Sequence, residues 1–140
     1  MNAASRMTGL TAQLTVAIGA FLPWLPHRSG VQVAVGALID PHTAPTRYAV
    51  VGAGWLAVAA AICGVAALAA CRRLPLLCVA ILQAAIVVCF VTAEAVERAP
   101  QDYTAADIAP GCWLVFAGAF AAIIAAVLSQ PRHGSGGIEH

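Results

Sequence analysis

The chain of 140 residues contains no lysine, and its charged residues make up only 9% of the total. A soluble globular domain carries roughly a quarter charged residues, so water is a poor fit as its main solvent. A net charge of +1 is too small for a nucleic-acid partner. No Cys-x-x-Cys pair occurs among Cys63, Cys71, Cys78, Cys89 and Cys112, so the reactive pair of small quinone-coupled thiol oxidants is missing. The apolar runs hold no histidine, whereas a bundle that binds haem between its helices supplies intramembrane histidine ligands. His27 and His42 share a loop with Asp40, at a spacing that matches no zinc site. The residues point to no catalytic group, no cofactor and no metal.

What the chain has instead is apolar sequence. It is 61% hydrophobic, with a mean hydropathy of +0.88. Two long runs, Ala49 to Ala70 and Leu74 to Val96, are separated by little more than Cys71-Arg72-Arg73. About 20 apolar residues cross a bilayer as a helix, so the pair reads as a transmembrane hairpin. Four spans are expected, over about residues 8–25, 49–71, 74–96 and 110–129. The fold class is therefore all-α, an integral membrane four-helix bundle forming a single domain over residues 1–140. A signal peptide would need a small-x-small cleavage site. The first run ends instead in Leu22-Pro23-Trp24-Leu25-Pro26, so it is expected to stay as a span.

Loops 26–48 and 97–109 are expected on one side, and residues 130–140 as a disordered tail. In the first loop, Val31 to Ile39 is apolar but nine residues long. As a helix it would rise only ~13.5 Å, too little to cross. The alternation of Val31, Val33 and Val35 predicts an extended segment, with a short interfacial helix as the alternative. Thr104 and Asp107 have the spacing of a capping box ahead of the fourth span.

Arg6, Arg72, Arg73 and Arg132 fall on one side of the four-span arrangement and mark it as cytoplasmic. Trp24, Trp55, Trp113, Tyr48 and Tyr103 fall toward the other face, where they are expected as interfacial anchors. Asp40, Glu97, Asp102 and Asp107 lie beyond that same face. The location implied is a bacterial plasma membrane, with both termini in the cytoplasm and both larger loops outside.

Small residues recur at four-residue spacing in the second span (Ala53, Ala57, Ala61) and in the fourth (Gly118, Ala122, Ala126). Such faces let helices approach closely. Thr11, Gln13 and Thr15 are expected to turn toward neighbouring helices for the same reason: polar groups cost energy against lipid. Glu94 is the acid placed within a span, near the outer end of the third. With Glu97 and Arg98 it has i, i+3, i+4 spacing for local pairing. Glu94, Gln83 and Gln13 are thus the candidate partner or coupling contacts. The cysteines are expected as packing residues, with Cys71, Cys78 and Cys89 on one helical stripe.

The Leu22-Pro23-Trp24 tripeptide, where the first span meets the long outer loop, carries a resemblance. With four spans and an arginine-bearing cytoplasmic turn, the chain resembles small actinobacterial membrane proteins of the tryptophan-operon-associated type. The resemblance implies a four-helix membrane protein and no catalytic residue. The 33 alanines and the use of Arg for every basic side chain are the bias of a GC-rich coding sequence, which agrees.

The function expected is a non-enzymatic accessory or scaffolding subunit of a larger membrane complex, whether envelope, transport or respiratory. Its partners would be the lipid bilayer and other membrane subunits. Two alternatives stand beside it. One is a small homo-oligomeric transporter or channel with Glu94 and Gln83 on a shared path. The other is a membrane thiol-redox or lipid-modifying enzyme.

Overall fold

The computed structural model describes residues 3–25, 28–33, 52–98 and 108–128. Tyr48, Tyr103, Arg132, the remainder of the first loop, the Thr104–Asp107 spacing and the tail lie outside the described residues.

Helix α1 runs Ala3–Phe21. It stops two residues before Pro23, because a proline disfavours helical backbone at the residue before it and offers no N–H. The first span was expected over 8–25, so the helix starts earlier and ends earlier. Strand β1, Pro23–Leu25, follows and pairs antiparallel with β2, Arg28–Ser29. A 3-10 turn covers Gly30–Gln32. It is closed by Ser29 N–H donating to Gln32 Oε1 at 3.0 Å and Val33 N–H donating to Gly30 O at 3.3 Å. Of the Val31 to Ile39 segment, only Val31 to Val33 is described: Val31 and Gln32 lie in the turn and Val33 has extended backbone, while 34–39 lie outside the described residues.

Helix α2 runs Ala53–Ala69, α3 Arg73–Arg98 and α4 Pro110–Leu128. Pro75 lies in the first turn of α3 and Pro110 opens α4, positions where the missing N–H would have no intrahelical acceptor. Between α2 and α3 the chain reverses in three residues. Arg72 N–H donates to Ala67 O at 2.9 Å, and Cys71 N–H donates to Leu68 O at 3.1 Å. This is a complete Schellman closure, and it requires left-handed backbone at Cys71, whose φ is 53°.

Neighbouring helices are antiparallel and form a ring in the order α1, α2, α3, α4, with α4 closing against α1. Arg73–Val96 and Pro110–Leu128 are long and apolar enough to cross a membrane. Helix α2 is equally apolar but has 17 residues, a length of ~25 Å against a hydrocarbon core of about 30 Å. Helix α1 has 19 residues, so composition rather than length sets it apart. Arg6, Thr8, Thr11, Gln13 and Thr15 dilute its apolar content.

The packing is small inside and large outside. Ala57, Ala80, Ala119 and Ala122 are fully buried, while Ile62 is 66% and Leu128 69% exposed. The outer stripe of α1 is Leu10, Leu14, Ile18 and Phe21, and that of α4 includes Phe120 and Ile124. At one end the core is large, with Trp24, Phe90, Val16, Ile86 and Val115. The middle layer is Ala12, Ala80 and Ala122. The opposite end holds Ala67, Leu68, Leu76 and Ala126. Ala53, Ala57, Ala61, Gly118, Ala122 and Ala126 are all buried in these internal seams, so the small-residue faces are used within the chain's own bundle.

Candidate functional site

Val16 and Ala20 face the core, and Gln13 lies one turn before Val16 on the same face of α1. The periodicity that buries the apolar residues therefore buries the amide as well. Gln13 is 1% exposed and Gln83 0%. Gln83 Nε2 donates to Gln13 Oε1 at 2.8 Å, which joins the diagonal helices α1 and α3 across the bundle. Gly64 on α2 leaves the space that the Gln13 amide fills. Gln13 Nε2 and Gln83 Oε1 have no hydrogen-bond partner among the described residues. An amide placed in such surroundings costs about 1–3 kcal/mol if it is left unpaired. The bond between the two glutamines offsets part of that and fixes which faces meet.

Only the alternative transporter or channel reading set Gln83 and Glu94 on a shared path. Gln83 is instead inside, on Gln13. Glu94 lies on the same side of α3 but ~16 Å along the axis, half-buried near the helix C-terminus. The two do not form one site.

Trp24 was expected at the headgroups and is fully buried. The chain folds back at Pro23, and the β1–β2 ribbon carries the ring into the end of the core. Its Nε1 donates to Gly19 O at 3.0 Å, one of the last carbonyls of α1, and its ring meets Phe90 edge-on at 5.1 Å. Gly30 covers the indole so closely that a Cβ there would lie 2.5 Å from Trp24 Nε1. Ala53 N–H donates to Val33 O at 2.7 Å and Ala109 N–H to Trp24 O at 3.4 Å, so this plug is tied to α2 and to the approach to α4. Trp55 and Trp113 do face outward, 49% and 47% exposed, at that same end. Phe21 meets Trp55 edge-on at 5.6 Å. Arg6, Arg72 and Arg73 are exposed at the opposite end.

Cys63, Cys71, Cys78 and Cys89 are exposed free thiols, and Cys112 is buried. Cys78 and Cys89 share the outer face of α3. Cys71 is in the turn, so it leaves the expected three-residue stripe. Among the described residues, no group of three or more His, Cys, Asp or Glu gathers at a metal-binding spacing.

One feature was not read from the sequence. Thr8, Thr11 and Thr15 line an outward groove of about 510 Å³ between α1 and α4, floored by Ala12, Gly118 and Ala121. Thr15 Oγ1 donates to Thr11 O at 2.9 Å. Thr11 is exposed and Thr15 half-buried; both were expected to turn toward neighbouring helices, and they border α4 from the outer side of the bundle. Their i, i+3, i+7 spacing was the available signal. The chain matches no known protein family, no curated protein and no solved structure.

Proposed function

We propose that this chain is a multi-pass protein of the bacterial plasma membrane. All four helices cross the bilayer, both termini are cytoplasmic, and the chain serves as a non-enzymatic accessory subunit of a larger membrane complex. The inverted packing supports the membrane part. A soluble protein rarely exposes a contiguous apolar patch beyond a few hundred Å², whereas here every helix presents large aliphatic or aromatic side chains outward. In lipid that surface costs nothing, and alanine and glycine inside permit close helix contact. Helices α1 and α2 cross as parts of the bundle, with Arg6 reaching toward the headgroups.

The observation that carries the subunit reading is the α1–α4 groove. Three threonine hydroxyls lie beside alanine and glycine on an exterior made largely of bulky apolar side chains. Hydroxyl and small side chains are what a second transmembrane helix packs against. The occupant proposed is a helix of another membrane protein. A photoreactive amino acid at Thr11, tested in native membranes, should cross-link one distinct protein. The same probe at Ile62, exposed on α2, should react with lipid alone. Lipid adducts only at Thr11, together with a lone monomer after mild-detergent purification, would refute the subunit reading. A cross-linked dimer of this chain would refute it in favour of self-assembly.

A further inference from the structure

A second groove, of about 380 Å³, opens outward between α1 and α2 at the arginine-bearing end. Its lining is apolar, with Met7, Leu10, Val65, Leu68 and Ala69, except for Arg6 at its mouth. Arg6 is exposed, and no acidic residue lies in the first turn of α1. The acids among the described residues, Glu94 and Glu97, stand at the other end of α3. Cation and apolar trough thus occur together at the arginine-bearing end of the bundle.

We propose that this groove binds one anionic glycerophospholipid, with its phosphate on the Arg6 guanidinium and the start of one acyl chain between α1 and α2. The inference rests on the membrane reading given above. A guanidinium holds a phosphate through paired N–H donors. The walls decide between a lipid and free phosphate: from Arg6 to Leu10 the trough continues for ~6 Å along α1, and a free ion would leave it unfilled. The charge pattern decides between anionic and zwitterionic lipid. A choline or ethanolamine headgroup brings its own cation, and no described acid at this end would meet it. Basic pockets between transmembrane helices on the cytoplasmic side are suited to anionic headgroups.

The test uses the full chain in liposomes containing photoactivatable phosphatidylglycerol or phosphatidylcholine, with the reactive group on the acyl chain. Flotation of the liposomes reads membrane insertion independently. Phosphatidylglycerol should label peptides containing Leu10 and Val65 in preference to the rest of the bundle, and phosphatidylcholine should not. Arg6→Gln should lower that labelling about fivefold, the effect of ~1 kcal/mol for one cation near anionic lipid. Arg6→Lys should retain most of it. Leu10→Trp, which fills the trough and keeps the cation, should lower it too, and millimolar inorganic phosphate should not compete. A floating protein whose labelling ignores Arg6→Gln, or does not distinguish the two lipids, overturns the lipid site and leaves the membrane reading standing. Complete displacement by phosphate overturns the choice of a lipid. A chain that fails to float overturns both.

Discussion

Gly64 on α2 presses against the amide of Gln13 on α1: a methyl group at position 64 would lie 2.5 Å from Gln13 Cδ and 2.7 Å from Oε1. Gln13 is the flexible partner, but it can move only by leaving Gln83. Gly64→Ala is therefore expected to break the glutamine bond. Overpacking costs about 1–3 kcal/mol, and the gain in helix propensity returns about 1 kcal/mol. The net loss expected is ~1 kcal/mol, read by reversible unfolding in mixed micelles followed by circular dichroism. A variant at least as stable as the parent would show that the three helices do not meet as described.

The glutamine pair itself is tested by a double-mutant cycle. Gln83→Met leaves Gln13 Oε1 buried without its donor, and Gln13→Met leaves Gln83 Nε2 buried without its acceptor. Each is expected to cost about 1–2 kcal/mol, because removing one partner exposes the desolvation of the other. The double variant replaces both amides by apolar groups of similar shape, so it should cost less than the sum of the singles. The expected coupling is ~0.6 kcal/mol and at most ~1.7 kcal/mol, the mean and the upper limit for hydrogen bonds between membrane helices. Strict additivity would mean that the amides do not interact.

The three tryptophans should separate spectroscopically. Trp24 is buried and hydrogen-bonded, whereas Trp55 and Trp113 are about half exposed. In single-tryptophan variants, brominated lipids are expected to quench Trp55 and Trp113 strongly and Trp24 weakly. Trp24→Phe keeps an aromatic ring but removes the donor to Gly19 O. It should cost about 1–3 kcal/mol, against within ~0.5 kcal/mol for Trp55→Phe and Trp113→Phe. Equal quenching at all three sites would contradict the folded-back ribbon.

That difference among the tryptophans shows how far the sequence could be read. The apolar runs and the Cys71-Arg72-Arg73 joint announced the helices and the reversal, because hydrophobicity and helix length are local properties. Trp24 and Trp113 both sit at the edge of an apolar run, and nothing local tells them apart. Their fates diverge because Pro23 breaks α1 and the chain then turns inward, where Gly30 leaves room for an indole. The glutamine pair was hidden for a different reason. Gln13 and Gln83 are separated by 70 residues, and no helical period relates them. The threonine groove was half visible: the 8, 11, 15 spacing marks one face of a helix, but which face is left outward depends on how α4 packs.

The proposed orientation places the α2–α3 turn in the cytoplasm, and Cys71 reports on it directly. It is an exposed thiol beside Arg72. In a variant that keeps Cys71 and replaces the other four cysteines by alanine, a membrane-impermeant maleimide should label inverted vesicles and spare intact cells. Under the proposed topology the outer face of α3 meets lipid, which a membrane-impermeant reagent does not enter, so Cys78 or Cys89 kept alone should remain unlabelled in both. Labelling of Cys71 from outside the cell would reverse the proposed topology.

Cys71 also marks a place where the fold is easily improved. The Schellman closure sets its φ at 53°, a conformation that costs an L-residue with a Cβ roughly 1–2 kcal/mol and glycine almost nothing. Part of that difference is returned through the greater freedom of glycine in the unfolded chain. Cys71→Gly is therefore expected to stabilise the protein by ~0.5–1 kcal/mol. Cys71→Ala should be nearly neutral, because it keeps the Cβ. Cys71→Val should destabilise it, since branching at Cβ makes the left-handed region harder to occupy. The ordering Gly above Ala above Val in micelle unfolding is the signature of backbone conformation. If glycine and alanine were equally stabilising, the effect would instead come from loss of the thiol, and the left-handed turn would not be the cause.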